Sequence, residues 1–225
     1  MIKTRLALYL ATLIPVTASA ADLATDKQKF SYALGTQIGR NVDQQGIDFD
    51  AKAFAAGVID ILENNDLQLT QQQMQDAAAS FKQELEAERD AAGNQNISTG
   101  KAFRDKNRQA AGVTTLENGI QYKVLEQGDG AQPSVEDTVV VHYRGELVNG
   151  EQFDSSYDRG DPATFKLNQV IKGWQEILPL MQEGAKWEVV IPPALAYGER
   201  GAGAAIGPNE TLVFDIELIE VKSDG

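Results

Sequence analysis

Eight residues in the second half of the chain have side chains suited to a binding cavity. They are Tyr143, Phe153, Asp154, Val170, Ile171, Trp174, Tyr197 and Phe214. Pockets for small ligands are lined mainly by aromatic and aliphatic side chains, with a few polar groups that fix the ligand's orientation. The composition therefore suits an apolar cup with a polar rim, and it suits neither a metal ion nor a phosphate.

Most other catalytic sites lack the residues they would need. The chain has no cysteine, so Cys-His sites and Cys/His zinc sites are not available. His142 is the only histidine, so a Ser-His-Asp site would have to use it. His142 alternates with Val141 and Tyr143, and we predict that it points away from them as a surface side chain. The glycine-rich segment 198–207 lacks the lysine and the GxGxxG spacing of a phosphate loop. We interpret it as a loop over the pocket.

The aromatic residues could instead belong to an ordinary hydrophobic core. Two features favour a pocket. Asp154 directly follows Phe153, and Tyr197 stands between Ala196 and Gly198. Small neighbours would leave the Tyr197 hydroxyl accessible.

The predicted secondary structure changes from helices to strands at Gly112, and the strands must position these residues. Beyond it apolar residues alternate, as in Val139, Val141 and Tyr143 and again over 212–218, which predicts strands. Asn149-Gly150 predicts a hairpin turn. Residues 170–178 predict a short helix that Pro179 ends. This pattern predicts an antiparallel sheet packed on one helix, and an α+β fold for the chain.

Residues 23–111 show a helical pattern. Capping boxes at Thr25 and Thr70 and a capping Asp50 predict three helix starts. The predicted apolar faces consist of Phe30, Leu34, Ile38 and Val42, then Phe54, Val58, Ile61 and Leu62, then Met74, Ala78, Phe81 and Leu85. These helices are too few to bury those faces within one chain, so residues 23–92 are predicted to form a homodimer.

The third helix is predicted to run to about Gln109, with a break at Gly93 or Gly100 left open. Its second half is mostly polar, which is typical of a helix that bridges domains through solvent. The predicted organisation is a signal peptide over 1–20, a helical dimerisation domain over 21–92, a stalk over 93–111 and a sheet domain over 112–225.

The N-terminus predicts export. Lys3 and Arg5 precede the mostly apolar run 6–16, and Ala18-Ser19-Ala20 resembles a cleavage site. We expect a soluble periplasmic protein, with outer-membrane association or secretion left open, and no membrane insertion. Residues 112–225 hold 8 basic and 19 acidic residues, a net charge of −11, which argues against nucleic acid as a partner.

Residues 112–222 resemble the FKBP-type peptidyl-prolyl cis-trans isomerases. The resemblance rests on Val141-His142-Tyr143, Phe153-Asp154-Ser155-Ser156, Val170-Ile171-Lys172-Gly173-Trp174, Ala196-Tyr197-Gly198 and Leu212-Val213-Phe214-Asp215. The whole mature chain is similar to the dimeric, two-domain members related to macrophage infectivity potentiator (Mip), through Leu23-Ala24-Thr25-Asp26-Lys27, Gly46-Ile47-Asp48 and 206–212. Gln169 departs from the acidic residue that is frequent in single-domain members.

The resemblance implies a five- or six-stranded antiparallel sheet wrapped around a short helix. It implies Asp154, Tyr197 and Tyr143 as catalytic residues. It also implies a substrate pocket of Phe153, Val170, Ile171, Trp174, Ile206, Phe214 and Phe165. Trp174 would be the floor, and Tyr197 and the Ile171 N–H would donate to substrate carbonyls. Neither a cofactor nor a metal is implied, and macrolides such as rapamycin would bind.

The expected activity is prolyl isomerisation on unfolded or partly folded proline-containing proteins. A holdase chaperone, with the N-terminal helices as the client surface, is the alternative. A binding module without turnover is a third hypothesis, and the presence of Tyr143, Asp154, Trp174 and Tyr197 speaks against it. Because every predicted pocket residue lies in 112–225, this segment alone is predicted to isomerise short prolyl peptides about as fast as the full chain.

Overall fold

A computed structural model describes residues 23–44 and 50–222 of the chain. The predicted signal peptide and the Gly46-Ile47-Asp48 motif lie outside these residues. The described chain divides into two compact units, one containing the first helix and one containing everything from the second helix onward. Among the described residues, no helix combines the length and apolarity needed to cross a membrane.

Three helices form the N-terminal half, and each begins at its predicted capping residue. They are α1 (Asp26–Asp43), α2 (Ala51–Glu63) and α3 (Gln71–Asn107). Gln28 N–H donates to Thr25 Oγ1 at 3.3 Å, Asp50 accepts from two N–H groups of the first turn of α2, and Thr70 forms a reciprocal capping box with Gln73. These caps satisfy N–H groups that have no partner within the helix.

α3 is continuous over 37 residues, so the chain does not break at Gly93 or Gly100. Both glycines are buried, although the rest of this half of the helix is largely polar. A helix surrounded by solvent would not bury them. The second half of α3 therefore contacts other parts of its own unit.

The C-terminal half is one antiparallel sheet of seven strands. They are β1 (Val113–Thr115), β2 (Gln121–Glu126), β3 (Thr138–Leu147), β4 (Gln152–Ser155), β5 (Ala163–Lys166), β6 (Lys186–Ile191) and β7 (Leu212–Lys222). The strand order is β1-β2-β6-β7-β3-β4, and β5 also pairs with β3. The resemblance implied five or six strands. The count is higher because β3 is long enough for β5 to pair with its first half and β4 with its second half.

Local signals in this half are confirmed. The turn between β3 and β4 contains Gly150 with φ +87°, a conformation that glycine adopts without steric cost. The short helix α5 covers Lys172–Ile177, and the 3₁₀ turn Leu178–Leu180 around Pro179 follows it at once. A one-turn helix, α4, covers Ser156–Arg159 directly after β4.

The core lies between α5 and the concave face of the sheet. The buried face of β7 carries Leu212, Phe214, Ile216 and Leu218, as the alternation predicted. Gly173 lets α5 approach the sheet closely, since a Cβ there would lie 2.5 Å from the Ile191 side chain. Trp174 and Ile177 of α5 are buried in this layer. The side chains at the open end of the layer form the cavity described next.

Candidate active site

A cavity of about 330 Å³ opens between α5 and the concave face of the sheet. Its lining consists of Tyr143, Phe153, Asp154, Phe165, Gln169, Val170, Ile171, Trp174, Tyr197 and Phe214. The structure therefore brings together nine of the ten predicted site residues. The tenth, Ile206, is 6% exposed and packs in the hydrophobic core, and it is not among the lining residues.

Four strands supply the aromatic wall residues. Tyr143 lies on β3, Phe153 on β4, Phe165 on β5 and Phe214 on β7, and their rings contact one another or Trp174. Gly145 is paired with Phe214 in the register of β3 and β7. A Cβ on Gly145 would lie 2.5 Å from the Phe153 ring and 2.9 Å from the Phe214 ring, so only glycine allows both rings to meet over this strand.

Trp174 forms the centre of the apolar wall. It makes edge-to-face contacts with three rings, at centroid distances of 5.3 Å to Tyr143, 5.7 Å to Phe165 and 5.4 Å to Phe214. Such pairs contribute about 0.5–1.5 kcal/mol each beyond area burial. Trp174 is 4% exposed, and its Nε1 is buried without a hydrogen-bond partner among the described residues. The three ring contacts hold the Trp174 side chain in one orientation.

The rim carries a hydrogen-bonded cluster of three side chains. The Tyr143 hydroxyl donates to Asp154 Oδ2. Arg159, at the end of α4, donates from Nη1 to Asp154 Oδ1 at 2.5 Å and from Nη2 to the Tyr143 hydroxyl at 2.9 Å. Its guanidinium carbon also lies 5.5 Å from the centroid of the Tyr143 ring. The cluster holds the carboxylate in one orientation at the mouth of the cavity.

These contacts decide the charge state of the rim. Burial raises the pKa of Asp154, but hydrogen bonds from Tyr143 and Arg159 outweigh it, and the net pKa lies below the ordinary value. Burial, and then the hydrogen bond to Asp154, raise the pKa of Tyr143. Burial and the charge of Asp154 also raise the pKa of Tyr197. At neutral pH the rim therefore carries one carboxylate, the positively charged Arg159 guanidinium paired with it, and two protonated phenols.

Two hydrogen-bond donors of cavity-lining residues have no partner in the described part of the chain. One is the hydroxyl of Tyr197, which is 40% exposed. The other is the N–H of Ile171, the residue that caps α5. Gln175 of α5 holds the backbone before it, because its Nε2 donates to the carbonyls of Val170 (2.7 Å) and Asn168 (3.3 Å). The cavity thus combines apolar walls, two donors and one fixed carboxylate.

Comparison with known proteins identifies the family to which the chain belongs. The family model for the FKBP-type peptidyl-prolyl cis-trans isomerase matches residues 130–219, and the model for the domain amino-terminal to it matches residues 27–124. The peptidyl-prolyl cis-trans isomerase Mip of Coxiella burnetii is 43% identical over 93% of this chain and 94% of its own. The chain belongs to the FKBP-type isomerases. It is a peptidyl-prolyl cis-trans isomerase.

Further relatives of this FKBP-type isomerase cover most of its length. The outer membrane protein MIP of Legionella longbeachae is 45% identical over 90% of this chain and 89% of its own. The crystal structure of FkpA from Escherichia coli is 39% identical, covers 90% of this chain and 99% of its own, and aligns with a TM-score of 0.66. The two-part organisation, helices followed by a sheet domain, is therefore shared with that structure.

Sequence reasoning missed three residues that shape this isomerase's cavity. Arg159 binds both polar rim residues, Gln175 holds the backbone before the Ile171 donor, and Gly145 leaves room for two rings. The only available signal was proximity in sequence, because Arg159 follows Asp154 by five residues and Gln175 directly follows Trp174. Their positions in the sequence do not predict which atoms the Arg159 and Gln175 side chains contact.

His142 takes no part in the cavity. It lies on the opposite face of β3 from Tyr143, with its ring stacked on Tyr157 at 4.6 Å and its Nδ1 2.9 Å from Ser156 Oγ. The described residues also contain no group of three or more His, Cys, Asp or Glu side chains placed to hold a metal ion.

Proposed function

We propose that this isomerase accelerates the folding of exported proteins by binding Xaa-Pro segments in the cavity and stabilising the twisted amide there. The observation that carries the proposal is the convergence of aromatic walls, two unpaired donors and one fixed carboxylate on a single cavity. No nucleophile is required, because isomerisation makes and breaks no covalent bond.

The physical basis is amide resonance. Rotation about a peptide bond has a barrier of about 18–20 kcal/mol because resonance is lost as the bond twists. The twisted amide has less charge separation than the planar one. An apolar cavity therefore disfavours the planar ground state relative to the transition state, and a shape that fits the twist adds differential binding. The edge-to-face rings around Trp174 supply such rigid, apolar walls.

The polar groups have separate roles in this proposal. The Tyr197 hydroxyl and the Ile171 N–H donate to carbonyls beside the proline and hold the peptide in place. Asp154 keeps the Tyr143 ring in position, supported by Arg159. Because Asp154 is charged and lies at the mouth, it also faces the polar atoms of the rotating bond. The carboxylate therefore has an orienting and an electrostatic function.

Association through the N-terminal helices is the second part of the proposal. Large apolar side chains of the described helices are exposed, among them Phe30 (71%), Ile61 (63%) and Leu62 (76%). Exposed apolar area of this extent is typical of an interaction surface. The repeated spacing of four along α1 gives one continuous apolar face. A second copy of the chain, in a two-fold homodimer through residues 23–92, would cover these faces.

A dimer would present two cavities to one client. Two linked binding sites raise the local concentration of a flexible chain at each site, which would add chaperone activity to isomerisation. Export follows from the predicted signal peptide and would place these activities in the periplasm. A holdase whose helices bind clients, with isomerisation secondary, is the competing function that the same exposed faces support.

A paired assay on the full chain separates the two functions. The first measurement is isomerisation of a short Xaa-Pro peptide, and the second is suppression of aggregation of a client whose folding does not depend on proline. Trp174→Leu should abolish most peptide turnover and leave aggregation suppression intact. If Trp174→Leu keeps full turnover while the domain stays folded, the proposed cavity is wrong.

A further inference from the structure

One stripe of the long helix α3 lies against the sheet domain. Its members are Arg89, Gly93, Asn96, Gly100, Arg104 and Asn107. Successive members are three or four residues apart, which places them on one helix face. Gly93 and Gly100 are buried and Asn96, Arg104 and Asn107 are half-buried, whereas most neighbouring residues are exposed. The polar half of α3 thus has a defined contact face.

This face binds the segment 198–211, here called the site loop. Asn96 Nδ2 donates to the Pro208 carbonyl at 2.9 Å, and Arg89 Nη2 donates to the Arg200 carbonyl at 3.0 Å. Arg104 donates to the hydroxyl of Thr211, which is completely buried. The helix therefore contacts the site loop near its start, at Arg200, and in its last four residues, at Pro208 and Thr211.

The two glycines make this approach possible. A Cβ on Gly93 would lie 3.2 Å from Asn209 Nδ2 and 3.5 Å from Pro208 Cβ. A Cβ on Gly100 would clash with the Thr211 side chain. In a solvent-exposed helix, alanine would be the more stabilising residue at both positions. Glycine here allows close packing against the site loop.

The site loop leads directly from one cavity residue towards another. It begins immediately after Tyr197 and ends three residues before Phe214 of β7. Within this loop of 14 residues the structure has four backbone hydrogen bonds. Ala202 and Ile206 exchange two of them, and the N–H groups of Gly201 and Asn209 donate to the Gly198 carbonyl at 3.4 Å and 2.8 Å. A loop with so few bonds of its own takes its position from its neighbours.

We propose that α3 is a positioning element of the isomerase, and that Asn96 is a positioning residue that sets the site loop and, through it, Tyr197. The inference rests on the proposed role of Tyr197 in holding the substrate. Asn96 is suited to this role because its amide binds a main-chain carbonyl, an interaction that does not depend on the side chains of the loop. The helix that leads to the N-terminal domain would thereby influence substrate affinity.

The test compares two isosteric charge changes in the full chain. Asn96→Asp removes the donor to Pro208 and puts a carboxylate against its carbonyl. The matched control, Gln95→Glu, makes the same amide-to-carboxylate change one residue away, where the side chain is exposed and bonded only within the helix. Amide hydrogen exchange over 198–211 and the kcat and KM for a prolyl peptide are measured for both.

Asn96→Asp should speed exchange in the site loop and raise KM about fivefold with kcat unchanged, since the lost positioning weakens binding of ground state and transition state alike. Gln95→Glu should change neither quantity. Equal exchange and equal KM in the two variants would overturn the proposal, and so would faster exchange with an unchanged KM.

Two further variants keep the outcomes distinct. Gly100→Ala favours the helix but clashes with Thr211, and it should reproduce the effects of Asn96→Asp; a wild-type result would overturn the proposal. Tyr197→Phe, measured in parallel, tests the site itself. If Tyr197→Phe raises KM and Asn96→Asp does not, the role of α3 fails while the proposed cavity stands. If neither raises KM, the proposed role of Tyr197 fails and this inference with it.

Discussion

Arg159 and Asp154 form an ion pair at the mouth of the cavity, with 2.5 Å between Nη1 and Oδ1. Arg159 comes from the one-turn helix α4 and Asp154 from the preceding strand β4. The Asp154 carboxylate also accepts a hydrogen bond from Tyr143. The ion pair therefore links α4 to Tyr143 in the cavity wall. An exposed ion pair adds little stability, so its effect is expected on turnover.

Arg159→Met should therefore lower kcat/KM for prolyl peptides about fivefold, the effect of one or two lost hydrogen bonds, and hardly change the thermal unfolding midpoint. Arg144→Met is the matched control, because Arg144 pairs with Glu146 and Asp215, which do not line the cavity. Equal activity of the two variants would show that Arg159 does not support the site.

The Asp154 carboxylate should contribute more to kcat/KM than the Tyr197 hydroxyl. Asp154→Ala removes the partner of two side chains and should lower kcat/KM about tenfold, whereas Tyr197→Phe removes one hydroxyl and should lower it about fivefold. His142→Ala, on the opposite face of β3, should have little effect. Loss of activity in the histidine variant alone would refute the proposed mechanism.

The pH dependence of turnover should be flat over a wide range. The lowered pKa of Asp154 keeps its carboxylate charged in the folded protein at pH values where the unfolded chain, with an ordinary value of 3.8, begins to protonate. Its stabilising contribution is thus present above that value and is lost as pH falls through the folded-state value.

At the other end, the raised pKa values of Tyr143 and Tyr197 keep both phenols protonated above their ordinary value of 10.0. We therefore expect constant kcat/KM from about pH 5 to about pH 9. The measurement is a pH–rate profile with a peptide that does not titrate. An inflection within this pH range would contradict the prediction.

Rapamycin should inhibit peptide turnover by occupying the cavity. The apolar walls and the donors at Tyr197 and Ile171 suit a large, mostly apolar ligand with a few carbonyl groups. Tyr197→Phe should weaken inhibition about fivefold through one lost hydrogen bond, measured as the inhibition constant. Unchanged turnover at saturating rapamycin would contradict the assignment of the cavity.

Truncation should separate the dimer from the positioning role of α3. A longer fragment, residues 93–225, loses the Arg89 contact but keeps Asn96, Gly100 and Arg104. It should be a monomer that binds prolyl peptides almost as tightly as the full chain does. A shorter fragment, residues 112–225, lacks these three residues. The sequence alone predicts that the shorter fragment is about as active as the full chain, whereas the contacts of α3 with the site loop predict a higher KM for the shorter fragment.

Sedimentation equilibrium and circular dichroism provide the controls for these fragments. The full chain should sediment as a dimer at micromolar concentration, and both fragments should retain the β-sheet signal. A monomeric full chain would rule out the proposed homodimer. If the shorter fragment is folded and its KM equals that of the longer fragment, the role of α3 is contradicted.

The sequence by itself determined the features that depend on local chemistry. Capping boxes specify helix starts at Thr25 and Thr70, and Asn149-Gly150 specifies a hairpin, because these signals act over three or four neighbouring residues. Alternation specified the buried face of β7 because side chains of a strand alternate between two faces. The ordered motifs of the resemblance contain eight of the ten residues that line the cavity, and the resemblance implied Phe165 as a ninth.

The tertiary structure alone decided the contacts between distant segments. Glycine destabilises a helix locally, so the sequence left open a helix break at Gly93 or Gly100. In the structure both glycines lie where α3 packs against residues more than 100 positions away in the sequence. The resemblance implied Ile206 as a pocket residue, whereas in the structure its side chain packs in the hydrophobic core. Whether an arginine such as Arg159 reaches a carboxylate or only solvent depends on where neighbouring elements end, and that follows from packing.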